Sequence, residues 1–134
     1  MLEELRAIVQ EVNAAKELQS ALDIIVHRVR EVLGTQVCSV FLLDKDINSH
    51  VLMASEGLRK EAVGQVSLSV GEGLVGLVAK HAEPINLQDA SLHPSFHYLQ
   101  ETGEEEFHAF LGVPIIHHRS VLGVLIVQHK EKRR

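Results

Sequence analysis

The chain of 134 residues has a single cysteine, no tryptophan and only five phenylalanine and tyrosine residues together. One cysteine, Cys38, excludes an internal disulfide and is typical of a reducing, cytoplasmic compartment. Because aromatic residues are scarce while 46% of the chain is hydrophobic, we expect an aliphatic core. The sequence also lacks a Cys-x-x-Cys pair, a dinucleotide fingerprint and a phosphate-binding loop, so it gives no support to enzyme classes that depend on them.

The chain also lacks long apolar runs, and it has no excess of positive charge. No apolar run approaches the ~18 residues that a membrane-spanning helix needs, and the acidic N-terminus does not resemble a secretory signal. The net charge is −5, yet residues 130–134 carry four positive charges and one negative, which leaves −8 for the rest. A domain with this negative net charge repels the phosphates of nucleic acid. We therefore expect neither membrane nor nucleic acid as a partner, and we interpret residues 129–134 as the basic start of a connector.

Apolar periodicity predicts two N-terminal helices within residues 1–34. The first has an apolar stripe within residues 2–12, and Asn13-Ala14-Ala15 separates it from a second that starts near Glu17. The second stripe is Leu18, Leu22, Ile25, Val29 and Leu33. Gly34 follows as a predicted C-terminal cap.

Residues 37–128 are predicted to form a sheet with an inserted helix and loop. The near-continuous apolar run Val37–Leu43 predicts a central strand buried on both faces. Further strands are predicted at residues 50–56, 66–70, 110–117 and 121–128, with a helix at 74–81 and a long loop at 87–109. The expected fold is one α+β domain, residues 1–134, with an antiparallel central sheet. The N-terminal helices would cover one face, and the short helix and long loop the other.

Three segments of the chain resemble the GAF domain family, a PAS-like fold. They are Cys38-Ser39-Val40-Phe41-Leu42-Leu43-Asp44, then Gly71-Glu72-Gly73-Leu74-Val75-Gly76-Leu77-Val78-Ala79 with Glu83-Pro84-Ile85 and Asp89, and finally Phe110-Leu111-Gly112-Val113-Pro114-Ile115-Ile116 with Leu122-Gly123-Val124-Leu125-Ile126-Val127. Leu5-Arg6-Ala7-Ile8-Val9, Glu83-Pro84-Ile85-Asn86-Leu87 and His93-Pro94-Ser95-Phe96 further resemble the N-terminal regulatory GAF domains of phosphoenolpyruvate-protein phosphotransferases of the nitrogen phosphotransferase system.

This resemblance implies a regulatory role rather than catalysis by the domain itself. Parent enzymes of this kind use magnesium, are dimeric, autophosphorylate on a histidine with phosphoenolpyruvate, and pass the phosphoryl group to a small carrier protein. Their phosphohistidine lies in a Gly- and Thr-Ser-His-containing motif, and none of the nine histidines here has that context. The resemblance therefore implies a cofactor-free domain without catalytic residues, which senses nitrogen status with glutamine as the leading ligand. GAF domains commonly continue into a long helix after the last strand, where this sequence has only the basic residues.

The candidate ligand-binding residues are Ser39, Phe41, Asp89, Phe96, Tyr98 and Phe107. The first two alternate inward on the central strand and the others belong to the long loop, although any of the aromatics is equally explained as ordinary core. The loop histidines, including His93 and His97, lack a frame for tetrahedral zinc, so we interpret them as solvated. Gly71 and Gly73 are interpreted as positions of unusual backbone angle, and Gly76 as a close helix–sheet contact, in preference to an anion cradle.

Two functional hypotheses follow. In the first, a small metabolite binds between the sheet and residues 87–109 and shifts the population of conformers that permit phosphoryl transfer. In the second, the domain is a dimerisation module without a ligand, and the stripes on residues 2–12 and 18–33 form the interface.

Overall fold

The computed structural model describes residues 1–90 and 109–130, which form two α-helices and an antiparallel sheet. In chain order the elements are α1 (Leu2–Leu33), β1 (Val37–Asp44), β2 (Ser49–Glu56), a 3₁₀ turn (Lys60–Ala62), β3 (Ser67–Ser69), α2 (Gly73–His81), β4 (Ile85–Leu87), β5 (Ala109–His117) and β6 (Ser120–His129). The six strands lie in the order β3-β2-β1-β6-β5-β4. The predicted α+β fold is confirmed, whereas most of the predicted loop at residues 87–109 lies outside the described residues.

The two predicted N-terminal helices are one continuous helix of 32 residues, so the predicted break at Asn13-Ala14-Ala15 is wrong. Alanine has the highest helix propensity of all residues, and one asparagine costs less than about 1 kcal/mol in a helix. Nothing in this segment therefore interrupts the helix. The predicted end is confirmed, because Gly34 adopts a left-handed conformation with φ 63° and its N–H donates to the carbonyl of Arg30.

Only the C-terminal half of α1 packs on the sheet. Leu22 and Val26 are buried against Cys38 and Val40 of β1. At the edge of this contact Gln19 Nε2 donates to the Met53 carbonyl over 2.9 Å. Polar contacts fix the far end too, since the His27 imidazole and the Arg30 guanidinium both contact the Glu56 carboxylate, at 2.9 and 3.3 Å.

The opposite face of the sheet carries α2 and the larger part of the core. Val37 and Phe41 of β1 are fully buried there, together with Val78 of α2 and Ile126 of β6. Strand β1 pairs with β2 on one side and β6 on the other. The prediction that Val37–Leu43 is a central strand buried on both faces is therefore confirmed.

The glycines before and within α2 set the backbone geometry of that helix. Gly71 and Gly73 have φ of 87° and 66°, a region that L side chains rarely adopt. A Cβ atom on Gly76 would lie 2.4 Å from the carbonyl carbon of Gly71. The interpretation of these glycines is confirmed with one correction: Gly76 lets α2 approach the loop that precedes it, not the sheet.

Replacing Gly76 with alanine should therefore destabilise the fold. The added methyl group would overlap backbone atoms, which cannot rotate away as a flexible side chain would, so we expect the free energy of unfolding to fall by about 1–3 kcal/mol. Urea denaturation followed by circular dichroism measures it. The matched control is Gly34→Asn, at a left-handed position with no atom within 4 Å of an added Cβ, where asparagine is tolerated. Equal losses in the two variants would contradict the proposed overlap.

Candidate functional site

A cavity of about 460 Å³ lies on the α2 face of the sheet. Its walls come from β1, β2 and β6, from the loop before α2 and from α2 itself. The lining residues are Leu43, His50, Val70, Gly71, Gly76, Ala79, Lys80 and Val121. The volume falls within the range of small-molecule sites, and such sites combine apolar walls with a few placed polar groups.

His50 is the buried polar residue of this cavity. Its side chain is 2% exposed, and Nδ1 has no hydrogen-bond partner in the part of the chain that the structure describes. It lies on β2, paired across the ladders with Leu43 and Leu68. Because burial disfavours the charged imidazolium, the pKa of His50 is lowered from its ordinary 6.5. The neutral form of the imidazole is therefore favoured at pH 7.

Lys80 contributes a positive charge to the same lining. It lies on α2 and is exposed to solvent, in contrast to His50. The two polar residues of the lining therefore differ in exposure: the imidazole of His50 is buried, whereas Lys80 is in contact with solvent. This arrangement suits a small ligand with a short carbon chain, a negative group and a neutral hydrogen-bonding group.

Sequence reasoning missed His50, although it predicted the strand that begins there, and β2 also contains an irregularity farther along. Val40 pairs with Ala54 and Phe41 with Leu52, so Met53 is a bulge in β2. The bulge moves Ala54 to the α1 face, although strict alternation would place it on the same face as Leu52. One signal in the sequence could have identified His50. It is a polar residue two positions before Leu52, so in a strand it lies on the same inward-facing side.

The predicted site residues fall into three groups. Ser39 and Phe41 are fully buried on the α2 face, where the Ser39 hydroxyl hydrogen-bonds the Ser55 hydroxyl over 2.8 Å. Neither residue lines the cavity described above. Asp89 is partly exposed just after β4, and the remaining three lie outside the described residues, namely Phe96, Tyr98 and Phe107. Contact between these six residues and a ligand remains a prediction.

Cys38 is buried on the opposite face of the sheet, as predicted. Burial, with a smaller effect from the negative charge of Glu56, raises the pKa of its thiol to about 11. The thiol is therefore protonated at neutral pH, and a protonated, inaccessible thiol is a poor nucleophile and metal ligand.

Within residues 1–90 and 109–130, no three histidine, cysteine, aspartate or glutamate side chains are grouped as a metal ion would require. His93 and His97 lie outside these residues. No described helix is both long enough and apolar enough to cross a membrane.

Comparison with known proteins agrees with this architecture. The profile of the GAF domain family matches residues 17–134. The phosphoenolpyruvate-dependent phosphotransferase system protein of Escherichia coli (strain K12) is 51% identical over 121 residues, which are 90% of this chain and 16% of that protein. The solved GAF domain from a phosphoenolpyruvate-protein phosphotransferase of Coxiella burnetii has a TM-score of 0.83 at 48% identity, covering 99% of this chain and 79% of that one. The Nif-specific regulatory protein of Azospirillum brasilense is 32% identical over an alignment of 127 positions, which covers 86% of this chain and 20% of that protein.

The chain therefore belongs to the GAF domain family. Within that family it is similar to the GAF domains of phosphoenolpyruvate-protein phosphotransferases, and the resemblance stated from the sequence is confirmed. The chain spans only 16% of the length of its phosphotransferase relative from E. coli.

The lowered pKa of His50 predicts a stability loss in mild acid. Above pH 6.5 the imidazole is neutral in both the folded and the unfolded chain. As the pH falls below 6.5, the unfolded chain takes up a proton more readily than the folded one, so the free energy of unfolding decreases until the pH passes the folded-state pKa. Urea midpoints of the wild type and of His50→Gln should be compared between pH 5 and 8. The wild type should lose more stability than the variant, and parallel curves would contradict the assignment.

Proposed function

We propose that this chain is the effector-sensing regulatory domain of a phosphoenolpyruvate-protein phosphotransferase of the nitrogen phosphotransferase system. The observation that carries the sensing role is the 460 Å³ cavity, in which the buried His50 has an unpartnered Nδ1. Similarity to the phosphotransferase relatives supports the choice of parent enzyme. Such a parent would use magnesium, act in the cytoplasm and pass its phosphoryl group to a small carrier protein, while the domain itself would bind no cofactor.

Glutamine is the ligand we propose, because the resemblance implies a nitrogen signal. The similarity to a Nif-specific regulatory protein supports nitrogen as the theme. Lys80 would attract the α-carboxylate of an amino acid at the cavity mouth. An α-ammonium group needs an acidic or carbonyl partner. Asp89 does not line this cavity: it follows Leu87, which lies across the ladders from Val37 and not from Leu43, so its contact with a ligand remains a separate prediction. Phe96, Tyr98 and Phe107 remain predicted contacts from the loop.

The fold offers a physical route from the cavity to the rest of the protein. Leu43 of β1 lines the cavity, while Val40 of the same strand packs against α1 on the other face. A ligand that binds one conformer of the α2 face more tightly would shift the population toward that conformer. Because β1 contacts both layers, the shift would bias the position of α1 and so reach a neighbouring catalytic domain.

Thermal unfolding tests the ligand. At a concentration one hundred times its dissociation constant, glutamine should stabilise the protein by about 2.7 kcal/mol and raise the unfolding midpoint by several degrees. Glutamate, asparagine and 2-oxoglutarate serve as matched controls. Flat unfolding midpoints with millimolar glutamine would contradict the proposal. In the phosphotransferase that carries the domain, glutamine should also change the rate of autophosphorylation by phosphoenolpyruvate, and deletion of residues 1–134 should remove that effect.

A second function, dimerisation, is favoured by the N-terminal half of α1. Every residue from 1 to 18 is exposed. Leu2, Leu5, Val9 and Val12 recur at intervals of three and four residues and are 48–63% exposed. Because most helical stability in proteins comes from packing of an apolar face, a seam with this spacing is best stabilised by a second copy in a coiled coil. Sensing and dimerisation are compatible in one homodimer.

The structure corrects one part of the predicted interface. Leu22 and Val26 are buried against the sheet of their own chain. They are therefore not available to a second chain, and the proposed dimer contact centres on the exposed seam at residues 2–12, while Leu18, Ile25 and Leu33 of the second stripe are 43–49% exposed.

Leu5→Lys should convert the dimer into a monomer, because it places a charge in the centre of the apolar seam. Size-exclusion chromatography with light scattering measures the mass directly. The matched control is Val32→Lys, which changes a 75% exposed valine near the opposite end of the same helix and should leave the mass unchanged. A monomeric wild type, or a Leu5→Lys protein of unchanged mass, would count against this interface.

A further inference from the structure

We propose that the C-terminal half of α1 is a hinged element that lifts off the sheet as a unit, and that the carboxylate of Glu56 on β2 is the latch that holds it closed. The hinge is the turn at Gly34, which connects α1 to β1. Because α1 is one continuous helix, opening of the latch would also redirect the exposed seam at residues 2–12. The regulatory meaning of this motion rests on the proposed sensing function, whereas the motion itself requires no ligand.

The polar contacts that fix α1 to the sheet lie along one flank of the helix. Gln19 Nε2 donates to the Met53 carbonyl, and the side chains of His27 and Arg30 both contact the Glu56 carboxylate. Residues 19, 27 and 30 are eight and three positions apart, so they share the side of α1 that faces β2. Two of these three contacts therefore depend on one carboxylate.

The opposite flank of α1 is apolar and exposed to water. Leu18, Ile25 and Val32 recur every seven residues, so they lie on one side of the helix, and they are 43–75% exposed. Few contacts on this side would have to break for the helix to leave the sheet.

The core beneath α1 is also the smaller of the two cores. Leu22 and Val26 are the buried residues of this helix. Among the described residues, the cluster that contains them has six buried members, whereas the cluster on the α2 face has fourteen. Because local stability follows buried apolar contacts, separation of α1 should cost less free energy than unfolding of the whole domain.

Strand β2 connects this latch with the cavity on the other face. His50, near the start of β2, lines the cavity, and Glu56 is the last residue of the same strand. The bulge at Met53 lies between them, and its carbonyl is the acceptor for Gln19. A shift of β2 caused by a ligand would therefore reach the contacts that hold α1.

The single cysteine of the chain can report the opening. Cys38 is fully buried and packs in the same cluster as Leu22 and Val26, beneath α1. Lifting α1 would expose its thiol, which then reacts with dithiobis(nitrobenzoate) and releases a coloured product. We expect the native protein without ligand to be labelled faster than global unfolding allows. Low concentrations of urea should hardly change the rate, because a local opening exposes little surface.

Three variants test the latch. Glu56→Gln should raise the labelling rate about three- to tenfold, the range expected for the loss of two partly exposed ionic contacts. The matched control is Glu31→Gln: Glu31 contacts the same His27 at 3.1 Å but lies on α1 itself, so its loss should change the rate by less than about twofold. Val78→Ala, at a fully buried position on the α2 face, should lower the urea midpoint and leave the labelling rate unchanged.

The results that would overturn the proposal are distinct. A rate that Val78→Ala raises in proportion to its loss of global stability would mean that Cys38 is reached through global unfolding, and the hinged opening would fail. Equal rates for Glu56→Gln and Glu31→Gln would overturn the role of Glu56 as the latch. Urea denaturation verifies that each variant is folded, and Arg30→Gln removes a contact of the same carboxylate if Glu56→Gln is not. Every measurement is made without ligand, so these results do not depend on whether glutamine binds.

Discussion

Strand β1 separates the two layers of the molecule, and both layers depend on its alternating side chains. Cys38 and Val40 face α1, whereas Val37 and Phe41 face α2. Burial on both faces forces β1 into the centre of the sheet, where β2 and β6 satisfy its backbone hydrogen bonds. A side chain that shifts on one face of this strand must therefore be accommodated on the other, because protein interiors are close-packed.

The pairing of β1 with β6 adds a second constraint to the same strand. A Cβ atom on Gly123 would lie 2.1 Å from the Phe41 carbonyl oxygen, so only glycine fits at that position without a backbone shift. Tight pairing here holds Phe41 in the core beside Val124 and Ile126. The cavity lies next to this rigid centre. Leu43 near the end of β1 and Val121 near the start of β6 bound it, at the same end of the two strands. A ligand site on a rigid frame loses little conformational entropy on binding.

Two features of the described residues lower the stability of the fold: a buried polar atom without a hydrogen bond, and apolar side chains exposed to water. The unpartnered Nδ1 of His50 costs on the order of 1–3 kcal/mol, and the exposed seam of α1 leaves apolar surface in water. Natural proteins tolerate such local costs where a ligand or a partner relieves them. The cavity lies on the α2 face of the sheet, whereas the seam belongs to the half of α1 that is exposed and does not pack on the sheet.

The architecture could be predicted from the sequence to a considerable depth. Alternating or continuous apolar runs identified the strands within residues 37–56 and 110–128. The cap at Gly34 could be predicted because glycine adopts the left-handed conformation that ends a helix without a steric penalty. The burial of Cys38 followed from its place in a central strand. The glycine roles at positions 71 and 73 followed similarly from backbone sterics. These features depend on neighbours within a few residues, which a sequence displays directly.

The candidate site was less accessible to prediction, because its parts meet only through tertiary packing. The bulge at Met53 reverses which face the end of β2 presents, and no composition or period signals it. His50 lines a cavity whose other walls include α2 and the start of β6, and those elements are distant from it in the chain. The length of α1 has a local cause, since nothing in residues 13–15 interrupts the helix, but tertiary packing decided that only its C-terminal half covers the sheet. The sequence by itself determined the elements and the GAF family, through local sterics and periodicity. The tertiary structure alone decided that His50 Nδ1 has no partner among the described residues and that the N-terminal half of α1 is exposed, because both depend on contacts between distant segments.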